Sequence, residues 1–182
     1  MAFLTSNGTL PPIYATTSHE ITADERSSAI DFVNRLNHLF EEFDKDKIKS
    51  GYLPECKLRH AYGTFNGRAE MDAFIERDYP PLVPGISRHA TNHTVDRDEE
   101  TGGVIVRYHN MLVRYAWPSQ AHKVTPNGVI KAEDGLPGMW YWSPMVDRLK
   151  MTEEGWKVYE RFIGGSVVNS KFDPDAEPKT QA

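Results

Sequence analysis

The alternation of apolar and polar residues is clearest between positions 87 and 117, where it predicts two long strands. On the first strand this alternation places His89, His93 and Val95 on one face. The acidic stretch at 98–103 ends in two glycines and supplies the reversal of the chain. We therefore expect a long antiparallel hairpin as the central element of the fold.

A helical spacing of apolar residues precedes this hairpin. Thr22 and Glu25 have the separation of a capping box, in which each side chain accepts a backbone N–H at the start of a helix. Apolar residues then recur every three or four positions as far as Phe43, which is typical of a helix with one buried face. Asp44 falls where this long helix is expected to end.

Two shorter elements are predicted between the long helix and the hairpin. A strand over residues 57–62 would place Leu58, His60 and Tyr62 on one face. A second helix over residues 68–79 stops at two prolines, because the proline ring lacks an N–H and clashes with the preceding turn.

The chain after residue 117 contains a long loop and a second hairpin. Residues 118–138 show no periodicity, and irregular stretches of this length often form lids or binding loops. A turn at 152–155 joins two further strands, and Pro144 indicates a bulge or an edge position in the first of them.

This order of elements predicts an α+β domain, in which a bent antiparallel sheet forms a cone around the long N-terminal helix. A small molecule could enter through the mouth of such a cone. We expect the domain to cover residues 21–168, with an arm over 1–20 and a polar tail over 169–182. A chain of 182 residues suits one domain.

Composition argues against several classes of function. No apolar run reaches the roughly 18 residues of a membrane helix, and the N-terminus lacks a signal-peptide pattern, so we expect a cytoplasmic protein. The net charge of −5, without a basic run, argues against a nucleic-acid partner. The single Cys56 argues against zinc-finger and iron–sulfur sites, and no glycine-rich nucleotide motif is present. We expect no cofactor and no metal.

The candidate catalytic residues are a histidine, an aspartate and a tyrosine. Imidazole titrates at about pH 6.5, so His89 in a pocket could move a proton between two positions of a substrate. Asp44 could orient its ring, and Tyr62 could donate a hydrogen bond to a substrate oxygen. Structural alternatives stay open, with His89 bonded to a backbone carbonyl, Asp44 facing solvent and Tyr62 in the core.

Two further histidines lie on the central hairpin. His93 lies roughly 13 Å from His89 at the rise of a strand, so one metal ion could not bind both. His109 and Met111 share one face of the second strand, while Asn110 lies on the other. Periodicity does not decide which face is inward, because both faces mix apolar and polar groups.

The second hairpin carries aromatic and charged candidates. Trp140 and Trp142 are two residues apart and are expected to share a face, where they could belong to the core or stack on a polycyclic ligand. Glu160 and Arg161 could form a solvent-exposed pair, or Glu160 could be a second carboxylate of the pocket.

Three short motifs carry a family resemblance: N-G-R-A-E-M-x-A-F from Asn66, R-H-x-T-N from Arg88, and G-W-K-V-Y-E-R from Gly155. In this order the chain resembles the SnoaL-like group of the nuclear transport factor two superfamily over residues 22–165. The resemblance implies the cone-shaped fold and a homodimer.

Within that superfamily the sequence is similar to scytalone dehydratases. The resemblance matches Asp44, Tyr62 and His89 to catalytic positions, and it favours the His109 face for the pocket. The second catalytic histidine of those enzymes falls at or near Trp140. The resemblance therefore implies an Asp–His pair beside an aromatic wall.

These observations predict a cofactor-independent isomerase or cyclase, or a dehydratase, that uses general acid/base catalysis. The resemblance implies a hydrophobic, polycyclic substrate derived from a polyketide or terpenoid in secondary metabolism. The expected substrate contacts are Phe43, His93, His109, Met111, Trp140 and Trp142. The alternatives are a non-catalytic binding or assembly protein on the same fold, or an oxygenase subunit.

Overall fold

The computed structural model describes residues 12–125, 127–129 and 135–178. Within these ranges the α-helices are Ala23–Glu42 (α1), Lys45–Ser50 (α2) and Gly67–Asp78 (α3). The strands are Tyr52–His60 (β1), Gly63–Asn66 (β2), Ile86–Arg97 (β3), Val104–Arg114 (β4), Gly138–Thr152 (β5), Gly155–Ile163 (β6) and Val167–Val168 (β7). Both predicted helices and both hairpins are present, whereas the sequence pattern misses β2 and the first half of β1.

The strands form one curved sheet in the order β2-β1-β6-β5-β4-β3, and β7 pairs with β5. Helices α1 and α3 share one hydrophobic core with the inner face of this sheet. The predicted α+β fold, with a bent sheet wrapped on the N-terminal helix, is confirmed. One pairing departs from the expected antiparallel pattern, because β1 and β6 run parallel.

Helix α1 begins and ends as its sequence dictates. The Thr22 hydroxyl accepts the Glu25 backbone N–H at 3.1 Å, and the Glu25 carboxylate accepts the Thr22 backbone N–H at 2.9 Å. The helix ends at Phe43, which has a left-handed φ of 54°. Asp44 then starts α2, because its side chain accepts the backbone N–H of Lys47 at 3.2 Å.

A bulge interrupts β3 halfway along its length. The pairing of β3 with β4 shifts register between Thr91 and Thr94, and Asn92 has a φ of 58°. Asparagine tolerates this left-handed conformation better than most residues. The extra residue reverses the alternation of side chains along the strand.

This reversal corrects the predicted face of the central hairpin. Before the bulge, Arg88 and Ala90 point toward the helices, and His89 lies exposed on the outer face. After the bulge, His93 and Val95 point inward. The prediction that His89 shares a face with His93 and Val95 is therefore wrong.

The faces of β4 are also resolved. Its inward residues are Val104, Val106, Tyr108, Asn110 and Leu112. His109 lies on the outer face, where its ring centroid is 5.1 Å from that of Trp142, and Met111 pairs with Trp142 on the same side. The expectation that the His109 face lines the pocket is wrong.

Trp140 and Trp142 lie on different faces. The pairing of β4 with β5 gains one residue on β5 at Trp140, which reverses the alternation there. Trp140 is buried in a second hydrophobic cluster, whereas Trp142 is on the outer face. The predicted shared aromatic surface therefore does not form.

The segment after β7 packs on this second cluster. Phe172 is 6% exposed, and its carbonyl accepts a hydrogen bond from Arg114 Nε at 2.6 Å. Asp173 accepts the indole N–H of Trp140 at 2.7 Å. The predicted polar tail over 169–182 is thus held against the domain as far as the structure describes it.

The remaining segments add little to the site. Residues 12–20 of the predicted arm are mostly exposed, and 1–11 lie outside the described residues. In the predicted loop, Pro118–Lys123 form a 3-10 helix, while 126 and 130–134 lie outside the described ranges. Among the described residues, no helix combines the length and apolarity that a membrane span requires.

Candidate active site

A cavity of about 70 Å³ lies between the inner face of the sheet and helices α1 and α3. Its wall consists of Asn37, Phe40, His60, Tyr62, Phe74, Asp78, Tyr79, Leu82, Arg88, Asn110, Leu112, Trp140, Tyr141, Ser143, Met145, Arg161, Ile163 and Ser166. Aromatic and aliphatic side chains with a few polar groups are the usual lining of a small-molecule site. Tyr62 is 66% exposed, which places it at the mouth.

Arg88 enters the cavity from the inner face of β3. Its guanidinium lies 5.5 Å from the ring centroid of Phe40 and 5.7 Å from that of Tyr79. Glu41 accepts the backbone N–H of Arg88, but the guanidinium itself makes no hydrogen bond to a described residue, and Nη2 is buried without a partner. Burial lowers the pKa of Arg88, against the opposing effects of Tyr79 and Glu41. The cavity thus holds a positive charge that no carboxylate balances directly.

His60 lies at the end of β1, where the strand turns toward β2. Its ring centroid is 5.2 Å from that of Phe74 and 4.9 Å from that of Tyr62. The backbone N–H of Tyr62 donates to His60 Nδ1 at 3.2 Å, so the proton of the neutral ring lies on Nε2. Burial lowers the pKa of His60 below its ordinary 6.5, partly offset by the negative charge of Asp78. The ring is therefore neutral at pH 7 and presents an Nε2–H donor.

Asp78 supplies a carboxylate to the same cavity wall. It is the last residue of α3, and its Oδ2 accepts two hydrogen bonds from the Arg77 guanidinium, at 3.0 and 2.7 Å. Both of these bonds are made to Oδ2, and no described residue donates to Oδ1. An imidazole and a carboxylate that influence each other electrostatically therefore face one cavity.

A buried ion pair closes the inner wall. Asp147 accepts two hydrogen bonds from Arg161, both at 2.7 Å, and one from the Tyr108 hydroxyl at 3.0 Å. The His93 ring stacks on Tyr108 with the centroids 5.5 Å apart, and its Nε2 is buried without a partner. Burial lowers the pKa of His93 despite the opposing charge of Asp147. Because two nitrogens of Arg161 are bonded to Asp147, it has fewer N–H groups available for a ligand than Arg88.

The structure does not bring the predicted His89–Asp44 pair together. His89 is exposed and shares a 2.9 Å hydrogen bond with the Ser87 hydroxyl. Asp44 caps α2 and forms a 2.8 Å ion pair with Lys47, whose hydrogen bonds lower the pKa of that carboxyl. Neither residue lines the cavity. The bulge at Asn92 and the capping role of Asp44 are the physical reasons.

The other predicted site residues lie in three different places. Tyr62 and Trp140 line the cavity, and His93 lies behind its wall against Tyr108. Phe43 packs against the core at the end of α1 without lining the cavity. The remaining three, His109, Met111 and Trp142, lie on the outer face of the sheet.

Glu160 and Arg161 do not form a pair with each other. Glu160 is on the outer face, where it accepts hydrogen bonds from Arg59 at 2.7 Å and Arg148 at 3.1 Å. Arg161 lies on the inner face with Asp147. Neighbouring residues of a strand point to opposite faces, which excludes Glu160 as a second carboxylate of the cavity.

Sequence reasoning missed three polar residues of the cavity: His60, Asp78 and Arg88. The strand pattern did place His60 on one face with Leu58 and Tyr62, but offered no reason to treat it as reactive. Arg88 lies on the opposite face of β3 from His89. The bulge between Thr91 and Thr94 turns this face inward, and the sequence pattern does not show the bulge. Among the described residues, no three His, Cys, Asp or Glu side chains are placed to hold a metal ion.

A curved sheet and a helix that enclose a lined cavity define a class of small-molecule-binding domains. The sequence profile of the SnoaL-like domain matches residues 22–161. The chain belongs to the SnoaL-like domain family, and the predicted resemblance is confirmed. A search of curated proteins finds no similar sequence.

Solved structures agree on the fold. ActVI-ORFA from Streptomyces coelicolor is 14% identical, with a TM-score of 0.57 over 75% of this chain and 93% of that one. A candidate scytalone dehydratase from Novosphingobium aromaticivorans is 12% identical, with a TM-score of 0.55 over 80% and 88%. An NTF2-like protein with a cystatin-like fold, from the same organism, is 16% identical, with a TM-score of 0.56 over 77% and 80%.

Proposed function

We propose that this protein is a cofactor-independent enzyme that moves a proton within a small organic substrate by general acid/base catalysis. The observation that carries the proposal is His60, a neutral imidazole with a lowered pKa on the wall of a largely apolar cavity. Membership of the SnoaL-like family supports a substrate derived from a polyketide or terpenoid. His60 and Asp78 replace the expected His89 and Asp44.

His60 acts on the oxygen of the substrate. Its Nε2–H donates a hydrogen bond to a carbonyl or hydroxyl oxygen, while the Tyr62 backbone N–H on Nδ1 holds the ring in this tautomer. As negative charge develops on the oxygen, the hydrogen bond strengthens and stabilises that charge. Tyr62 and Phe74 pack against the ring and limit its rotation.

Asp78 acts as the base at carbon. Its carboxylate takes the proton from a carbon next to the carbonyl, and the electron pair of the broken C–H bond forms the enolate that His60 stabilises. Return of the proton to another carbon completes an isomerisation. In a dehydration, the enolate instead expels a neighbouring hydroxyl, which takes up the proton held by Asp78 and leaves as water.

We propose an isomerase or cyclase reaction first, and a dehydratase reaction as the alternative. The cavity of about 70 Å³ has room for several water molecules, so a polycyclic substrate would extend through the mouth past Tyr62. The expected homodimer stays a prediction, as does the compartment.

The proposal can be tested by following the exchange of α-protons for deuterium in a cyclic ketone such as 2-tetralone, by NMR in D₂O. We expect His60→Asn and Asp78→Asn each to slow the protein-catalysed exchange by about 100-fold, the usual contribution of a positioned acid or base. His89→Asn and Asp44→Asn are the matched controls, because they change the same residue types outside the cavity.

Loss of exchange in the two controls, with activity kept in the cavity variants, would restore the pair predicted from sequence. Tight binding of the ketone without exchange in the unaltered protein would favour the non-catalytic alternative. Circular dichroism of each variant shows whether the fold is retained.

A further inference from the structure

We infer that the substrate carries a carboxylate and that Arg88 binds it. Calling the ligand a substrate rests on the proposed function. The binding site itself is argued only from the contacts of Arg88. A guanidinium lies at the cavity wall, its Nη2 is shielded from solvent, and it makes no hydrogen bond or ion pair to a described residue.

The charges around the cavity do not balance without a ligand. Arg161 is neutralised by two hydrogen bonds to Asp147, and Asp78 forms a 2.7 Å ion pair with Arg77. His60 is neutral, because burial lowers its pKa. Glu41 acts on Arg88 only from beyond ion-pair distance. Arg88 is therefore the one charged side chain of the described wall without a described carboxylate in direct contact, and burying such a charge is costly.

Glu41 does not fill this role. One of its oxygens accepts the backbone N–H of Arg88, and the other lies 3.6 Å from His38 Nδ1 on the outside of α1. The guanidinium instead lies near the rings of Phe40 and Tyr79, at 5.5 and 5.7 Å from their centroids, which are 5.2 Å apart. This packing fixes its position and leaves its N–H groups for a planar acceptor.

The number of unpaired cations in the cavity wall indicates whether the ligand is a monoanion or a dianion. One unpaired guanidinium matches a monoanion, and its fork of N–H groups matches the two oxygens of a carboxylate. A phosphate dianion would call for a second free cation, and the only other arginine of the described wall is bound to Asp147. Apolar neighbours such as Leu112 and Met145 suit the ring or chain that bears the carboxylate.

The test uses benzoate, its neutral analogue benzamide, and phenol, with binding followed by protein-observed NMR titration of the full chain. We expect benzoate to bind more tightly than benzamide, and Arg88→Met to weaken benzoate at least about 10-fold, the loss expected for charge-assisted hydrogen bonds. Benzamide should be nearly unaffected. Arg88→Lys should fall between, because it keeps the charge and loses the fork.

Arg35→Met is the matched control, since it removes one positive charge from the exposed surface of α1 and should leave benzoate affinity unchanged. Equal binding of benzoate and benzamide, or full benzoate affinity in Arg88→Met, would overturn the inference. A third outcome would also overturn it: the protein does not bind benzoate but binds phenol at alkaline pH, and this binding depends on Arg88. The bound anion would then be a phenolate.

The two proposals fail separately. Benzoate binding needs no turnover, so it can be measured in the unaltered protein whether or not deuterium exchange occurs. If exchange fails in the unaltered protein but benzoate binding depends on Arg88, the acid/base function is wrong and the carboxylate site stands. If exchange depends on His60 but benzoate affinity is unchanged in Arg88→Met, only the carboxylate site is wrong.

Discussion

Arg88 and Arg148 carry the same side chain into opposite surroundings. On the outer face, Arg148 is 5% exposed and bonds to three carboxylates: Asp98 at 2.8 and 3.0 Å, Glu100 at 2.7 Å and Glu160 at 3.1 Å. On the inner face, the Arg88 guanidinium lies near two aromatic rings, and no described carboxylate is in direct contact with it. The charge of Arg148 is paired within the sheet, whereas the charge of Arg88 is available to a bound ligand.

The difference shows how a charge network can be told from a binding site. A buried ion pair whose partners are all present contributes to structure, and removing one partner leaves the others desolvated and unpaired. A buried charge without a partner contributes nothing comparable to stability and is retained at a cost. The same substitution should therefore destabilise the fold strongly at Arg148 and little at Arg88.

The largest effect is expected from Arg148→Met. We expect the free energy of unfolding to fall by about 3 kcal/mol, because Asp98 is left buried without its cation and Glu160 keeps only Arg59. Arg88→Met should change the free energy of unfolding by less than about 1 kcal/mol, since relief of desolvation offsets the lost ring contacts. Urea denaturation of both variants measures the difference, and equal losses would break the comparison.

A smaller effect is expected at the bulge that directs Arg88 inward. Asn92→Val should lower the free energy of unfolding by about 2 kcal/mol, because a β-branched residue is strained at a φ of 58°. Asn92→Gly should be close to neutral, because glycine adopts this conformation freely. Thermal unfolding of the two variants checks the prediction. A Val variant as stable as the Gly variant would show that the bulge moves or disappears.

The smallest effect is a difference in the acid sensitivity of the two faces. Burial lowers the pKa of His60 and of His93 from 6.5, so the unfolded chain takes up protons first as the pH falls. Stability should thus decline from about pH 6.5 downward until the folded pKa values are passed. His60→Asn and His93→Gln should each flatten this part of the stability profile, measured by urea denaturation between about pH 7 and 5.

The outer face should respond at lower pH. Burial raises the pKa of Asp98, but the hydrogen bonds from Arg148 outweigh it and leave the pKa below 3.8. Its contribution is therefore present above pH 3.8 and is lost as the pH falls through the folded value. A single acid transition, unchanged by the histidine variants, would contradict the separation of the two faces.

Much of the fold could be predicted because its signals are local. The capping box of Thr22 and Glu25 fixes the start of α1, and the helical spacing up to Phe43 fixes its length. Two prolines after Tyr79 end α3 in the same way. Such signals depend on a few neighbouring residues, so they are readable without the tertiary structure.

The candidate site could not be predicted, because it depends on which face of each strand points inward. A one-residue bulge reverses every side chain beyond it, and Asn92 in a strand is consistent with a bulge without requiring one. Asp44 was equally ambiguous: an aspartate after a helix can be its last residue or the cap of the next one. The structure resolves the second ambiguity through the bond from the Lys47 N–H.

The docking of Phe172 links two distant positions of the chain. A Cβ atom added at Gly138 would lie 2.1 Å from the Phe172 ring, far inside the contact distance of two carbons. Any larger residue at 138 would displace the ring, and with it the neighbouring acceptor of the Trp140 indole. Glycine at 138 and an aromatic residue at 172 should consequently be inherited together, and a relative with a shortened C-terminus is free to carry a side chain at 138.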